Sequence, residues 1–138
     1  MPDQFVNLAI AVNDIDAAIQ RYDQAFGWKL EGEVKTQQSL NIKTAILNAP
    51  GLSIELISPL PGEQAVRRFL DSRGEGFYRL AFRTEDCDAA LARFDQNDVR
   101  YVDLSADGGQ RIVLTAPKSA HGLMVEFIEA PADPPATE

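Results

Sequence analysis

The sequence predicts an α+β fold made of two tandem βαβββ modules that share a curled mixed sheet. Three observations carry this expectation. The 138-residue chain repeats itself at a shift of 72. Each copy passes from a strand-period segment to a helix-period segment and back to strands. Single charged residues also interrupt otherwise apolar strands at matching places in the two copies. At the shift of 72, Leu8, Ala9, Asp14 and Asp16 meet Leu80, Ala81, Asp86 and Asp88. Ala17, Ala18, Arg21, Asp23 and Gln24 likewise meet Ala89, Ala90, Arg93, Asp95 and Gln96. Further on, at a shift of 71, Gly51–Ile57 matches Gly122–Ile128. A run of matches this dense marks a tandem duplication.

Each element has its own signal. Phe5–Val12 reads as a strand, and Asp14–Phe26 as a helix with apolar residues at 15, 19, 22 and 26. Asn13 is placed to cap that helix, Asp14 and Asp16 put negative charge in its first turn, and Gly27 stops it. Trp28–Lys35, Asn41–Leu47 and Leu52–Ser58 follow as strands, divided by turn formers around Asn48, Pro50 and Gly51. The second module repeats the order: strand Phe77–Arg83, helix Asp86–Asn97, a strand near Val99, then Gln110–Thr115 and Leu123–Glu129. The expected organisation is one domain over residues 1–129, with modules at about 5–58 and 77–129 and a linker at 59–76. Gln64–Leu70 forms a short linker helix, and its Arg67 and Arg68, with nearby Arg73, suit a solvated face better than an anion site. The tail from Ala130 to residue 138, with Pro131, Pro134 and Pro135, has little to bury and is expected to be disordered.

Composition narrows the function classes. Thirteen Lys and Arg against 21 Asp and Glu give a formal charge of -8, which repels polyanions and argues against nucleic acid. No apolar run approaches the roughly 20 residues that span a bilayer, and Pro2, Asp3 and Gln4 do not open a signal peptide, so a cytoplasmic protein without membrane association is expected. One cysteine and one histidine exclude an internal disulfide and any metal site of several imidazoles or thiolates. Cys87 falls on the same helical stripe as Ile15 and is expected to be buried. His121 lies in the turn before the last strand, about 16 Å along an extended chain from Glu126, and is read as a turn residue.

Alternation assigns the faces of the strands. Val6, Leu8, Ile10 and Val12 pack under the first helix, leaving Phe5, Asn7, Ala9 and Ala11 on the concave side. In the repeat, Tyr78, Leu80 and Phe82 pack down, while Phe77, Arg79 and Ala81 face the concave side. Glu55 and Glu126 are symmetry mates on the fourth strands, as Asn7 and Arg79 are on the first. A carboxylate inside an apolar strand needs a partner, because burying it unpaired costs several kcal/mol, and Arg79 is the obvious one. The bland reading is a structural salt bridge. The sharper one is a cavity surrounded by two carboxylates, a guanidinium and an amide that act on what enters it.

These residues resemble the vicinal oxygen chelate superfamily, the glyoxalase and bleomycin-resistance type, and within it the methylmalonyl-CoA epimerase branch. The resemblance spans nearly the whole chain. It rests on Asn7–Val12 with the Asp14–Ala18 helix start, Ile54–Leu60, Phe69–Leu70 with Arg73–Gly76, and Ala116–Ser119 with Gly122–Ile128. It implies a small-molecule cup and a divalent metal held by one residue from each of four strands, commonly His, Glu or Gln, His and Glu. The matching positions here are Asn7, Glu55, Arg79 and Glu126. Neither an amide nor a permanent cation replaces imidazole as a divalent ligand, so no metal and no other cofactor is expected, and Arg79 stands where the metal's charge would be. The epimerases also carry an acidic residue on the turn between strands two and three, whereas this turn is Gln37–Gln38–Ser39.

Two functions follow as expectations. The first is a metal-independent isomerase, epimerase or lyase acting on a small carbonyl or carboxylate compound. Glu126 or Glu55 moves the proton, Arg79 stabilises the oxyanion, and Asn7, Phe5, Phe77, Met124 and Gln38 contact the substrate. The second is a non-catalytic protein of the bleomycin-resistance type that sequesters a planar or hydrophobic compound. Relatives of this length imply a homodimer, which exposed sheet edges would permit.

Overall fold

A computed structural model describes residues 3–104 and 110–130; the expected tail lies outside them from residue 131 onward. Eight strands and three α-helices run in the order β1 (Gln4–Ala11), α1 (Ile15–Phe26), β2 (Lys29–Gln37), β3 (Ile42–Ala49), β4 (Leu52–Pro59), α2 (Ala65–Arg73), β5 (Gly76–Thr84), α3 (Cys87–Gln96), β6 (Tyr101–Asp103), β7 (Ile112–Thr115) and β8 (Val125–Glu129). The α+β class and the two βαβββ modules of the vicinal oxygen chelate fold are therefore present. By contacts the chain divides into two units: Asn7–Tyr78, and Arg79 onward together with the first residues through Val6.

In the unit Asn7–Tyr78 the strand order is β2-β3-β4-β1, with β1 parallel to β4 and the other neighbours antiparallel. The strands are buried on two sides by different helices. Val12, Ile15, Leu47, Ile54 and Leu56 form one cluster with Ile10, Ile19, Tyr22 and Trp28 beneath α1. Ala9, Ala11, Ile42 and Ile57 form a second with Val66 and Leu70 of α2. The segment expected as a linker is thus a packed helix, three residues longer at its C-terminal end than the Gln64–Leu70 reading. Glu63 helps start it, its two carboxylate oxygens accepting from the amides of Val66 and Arg67. Tyr78, expected beneath a helix with Leu80 and Phe82, packs instead on this α2 side, edge to face with Phe69 at 5.0 Å between ring centres.

The α1 cap is Asp14, not Asn13. Asp14 has extended backbone angles and its Oδ1 accepts from the Ala17 amide at 3.1 Å, while the Asn13 amide donates to Glu75. Asp86 repeats the same bond to Ala89 at the start of α3. Gly27 ends α1 in the left-handed conformation, as its position after Phe26 predicts.

In the other unit the order is β5-β8-β7-β6, with β5 parallel to β8 and the remaining pairs antiparallel. Phe82 stacks on Phe127, which meets Phe94 of α3 at 5.4 Å, so the alternation of these two strands points Leu80, Phe82, Val125 and Phe127 toward the helix. The strand expected near Val99 begins at Tyr101. Its departure is local: the Val99 amide closes the end of α3 on the Phe94 carbonyl. Arg111 joins Asp88 in the first turn of α3 to Asp103 at the end of β6, at 2.7 and 3.3 Å. No helix among the described residues is long and apolar enough to cross a membrane.

The capping assignment is directly checkable. Asp14→Ala should cost about 1 kcal/mol of unfolding free energy in urea titrations, and Asn13→Ala distinctly less. The reverse order would return the cap to Asn13.

Candidate functional site

The candidate residues fall into two pairs, one in each unit. In Asn7–Tyr78, β1 and β4 run parallel with Ala9 opposite Glu55 and Leu8 opposite Ile54. Alternation puts Asn7 on the Ala9 side and therefore on the same face as Glu55, turned away from Ile10, Ile54 and Leu56 under α1. Asn7 is buried, Glu55 half-buried, and both are engaged with partners. The small Ala9 between them leaves room for the longer side chain beside it.

In the other unit Arg79 and Glu126 come together. The β5–β8 register sets Ala81 opposite Glu126 and Leu80 opposite Val125, so Arg79 reaches its carboxylate diagonally. Nε of Arg79 donates to Oε1 of Glu126 at 2.8 Å, with side-chain exposures of 6% and 14%. These numbers matter because a pair this dry is bound by short-range electrostatics and is little screened. The anticipated partnership of Arg79 with a glutamate is therefore realised with Glu126. Both side chains lie on the face opposite α3, since Leu80 and Phe127 occupy the other.

The remaining candidates are more dispersed. Phe5 is 43% exposed and packs edge to face on Phe82 at 5.6 Å. Phe77, in the other unit, is 45% exposed. Met124 is half-buried just before β8, and its carbonyl accepts from the Leu80 amide at 3.1 Å. Gln38 is exposed in the turn between β2 and β3. His121 is exposed with a left-handed φ of 58°, the turn residue expected. Cys87 is fully buried. Burial raises its thiol above the ordinary value and the neighbouring Glu129 carboxylate adds to the rise, so the nucleophilic thiolate is disfavoured there. Strand periodicity makes Glu129 only the end of β8, yet its Oε2 accepts from the Cys87 amide at 2.8 Å. No residue pattern in the sequence signals that bond.

The sequence pattern of the Glyoxalase/Bleomycin resistance protein/Dioxygenase superfamily matches residues 7–116. The chain belongs to that superfamily. Membership implies a small-molecule partner. Among solved structures, a hypothetical protein from Bacillus halodurans superimposes with a TM-score of 0.82 over 99% of this chain and 100% of its own at 24% identity, which establishes the fold. Methylmalonyl-CoA epimerase from Mycobacterium tuberculosis is 34% identical, with a TM-score of 0.76 over 93% of this chain and 89% of that one. The uncharacterized protein YqjC of Bacillus subtilis is 28% identical over 131 residues, 92% of each chain. The anticipated superfamily and the likeness to the epimerases thus both stand.

A divalent ion at the implied superfamily position would need lone pairs. Arg79 has none to give, and it sets a permanent positive charge against Glu126 at 2.8 Å, where a divalent cation would be repelled. Among the described residues no group of three or more His, Cys, Asp or Glu side chains converges on a point. Arg79 and Glu126 as arranged do not fit a divalent metal.

The pair makes a sharp thermodynamic prediction. Arg79→Met alone should cost roughly 3–5 kcal/mol because it strands a buried carboxylate, whereas Arg79→Met with Glu126→Leu should recover most of that loss. A double-mutant cycle by urea denaturation checks it. Additive losses would mean that the two side chains do not depend on each other.

Proposed function

We propose that this protein is a metal-independent isomerase, epimerase or lyase that moves a proton next to the carbonyl of a small carbonyl or carboxylate compound, with Glu126 as the base and Arg79 as the fixed cation. The observation that carries this reading is the 2.8 Å Arg79–Glu126 pair between β5 and β8. When Glu126 takes a proton from the substrate carbon, the electron pair of that bond moves onto the carbonyl oxygen. Glu126 becomes neutral as the oxyanion forms. The negative charge therefore passes from one partner of Arg79 to another without leaving its reach, and the guanidinium is organised before the reaction begins. Return of the proton to a neighbouring atom gives isomerisation, delivery by another acid to the opposite face of the same carbon gives epimerisation, and loss of a leaving group from the carbon beside the enolate gives a lyase. A guanidinium is a forked donor set of the kind that suits a carboxylate or carbonyl. Phe5 and Met124, which lie in the same unit as the pair, are assigned to substrate contact.

The likeness to a methylmalonyl-CoA epimerase makes an acyl-CoA thioester one substrate to try. The net charge of -8 gives such a polyanion no general attraction, and the exposed turn at Gln38 supplies no second carboxylate. A smaller acid or ketone is the better fit. The assembly belonging to this reading is a cytoplasmic homodimer, favoured by the edge strands β2 and β6, each of which, among the described residues, pairs on one side only.

Binding without chemistry is the second reading. Phe5, 43% exposed in the same unit as the pair, favours a planar or hydrophobic ligand. Deuterium wash-in from solvent separates the two, because it reports carbon deprotonation whatever the net product. In a screen of carboxylates, ketones and methylmalonyl-CoA, at least one compound should exchange with the wild-type protein. Glu126→Gln should slow that exchange about 10²–10⁴-fold with little change in affinity. Compounds that bind and never exchange would establish the sequestration reading instead.

A further inference from the structure

We infer that Thr115 is a positioning residue for Glu126: its hydroxyl holds the Met124–Val125 peptide so that the following carboxylate meets Arg79. The inference rests on the reading of Glu126 as the acting group. All the residues concerned lie in the unit that begins at Arg79.

The two copies of the module differ at this point. In the first, the β3–β4 ladder runs through Ile46 opposite Glu55 and continues by Leu47 opposite Ile54, Asn48 opposite Ser53 and Ala49 opposite Leu52. Glu55 therefore sits inside a continuous backbone ladder. In the second, the register runs from Ile112 opposite Ile128 to Leu114 opposite Glu126. The chain then leaves through Ala116, a 3-10 turn at Pro117–Ala120, and left-handed residues at His121 and Gly122. Glu126 thus lies where the ladder opens, with less backbone to hold it.

Thr115 makes up for the missing rung. Its Oγ1 accepts from the Val125 amide at 3.0 Å, and the side chain is 4% exposed. On the other side of the same peptide, the Met124 carbonyl accepts from the Leu80 amide at 3.1 Å. One peptide unit is therefore clamped at both ends: by the residue that follows Arg79, and by Thr115. Since the next residue is Glu126, the clamp sets the diagonal along which Nε of Arg79 and Oε1 of Glu126 meet. Without the hydroxyl acceptor, the Val125 amide loses its bond in a site largely closed to water, and the β8 end is free to shift relative to β5.

The test needs no substrate. In ¹⁵N-labelled protein the Arg79 Nε–H resonance, identified by its loss in Arg79→Lys, reports the ion pair, and amide exchange at Val125 reports the clamp. Thr115→Val keeps the shape and removes the acceptor. It should raise Val125 exchange about fivefold and shift or broaden the Arg79 resonance, and Thr115→Ser should restore both. If Thr115→Val does not fold, Thr115→Cys, a poor acceptor of similar size, takes its place against Thr115→Ser. An Arg79 resonance unchanged while Val125 exchange rises would make Thr115 a local strand brace, and unchanged Val125 exchange would remove the bond itself; either overturns the inference. Neither readout involves turnover, so a Glu126→Gln protein that still washes in deuterium would defeat the catalytic reading and leave the clamp standing.

Discussion

The buried Arg79–Glu126 pair constrains the second unit more than any other contact. A carboxylate and a guanidinium cannot both lie almost out of water unless each is held close to the other, because the desolvation cost of a lone charge is several kcal/mol. That requirement fixes the β5–β8 register: a slip of β8 by one residue would turn Glu126 away from Arg79 and toward the α3 side, where Phe82 and Phe94 have no use for a charge. The hydrophobic pattern and the charge pair thus demand the same alignment, and agreement of that kind is what makes a register unique.

The duplication shows how the two halves diverged from a common plan. Glu55 and Glu126 occupy matching positions, but the mate of Arg79 is Asn7. One half retains a carboxylate beside a strand that offers an amide, the other a carboxylate beside a permanent cation. A guanidinium brings positive charge and directed donors but no exchangeable coordination position. On the proposed reading, the chemistry is proton transfer and hydrogen bonding.

Much of this was legible in the residues. The repeat, the α1 and α3 helices, the alternation of β1 and β4 and the partnership of Arg79 with a glutamate all follow from periodicity and from the cost of burying charge. Other features depend on facts that periodicity does not contain. Asn13 and Asp14 are both good capping types, and only the backbone direction at Asp14 decides between them. Tyr78 obeys strand alternation less than it obeys the available aromatic partner, Phe69, on a helix whose packing the linker reading did not anticipate. Glu129 and Thr115 look like ordinary strand ends. Their roles arise from groups 42 and 10 residues away in sequence, brought near by the fold.

The central claim is that Arg79 serves as a built-in cation where the superfamily resemblance implies a metal ion. Its most direct test is metal content by mass spectrometry on protein purified without chelator and again after incubation with cobalt, manganese and zinc. The account predicts no stoichiometric metal in any of these samples. One tightly held equivalent, lost in Glu126→Gln, would contradict it and place the protein with the metal-dependent epimerases and glyoxalases.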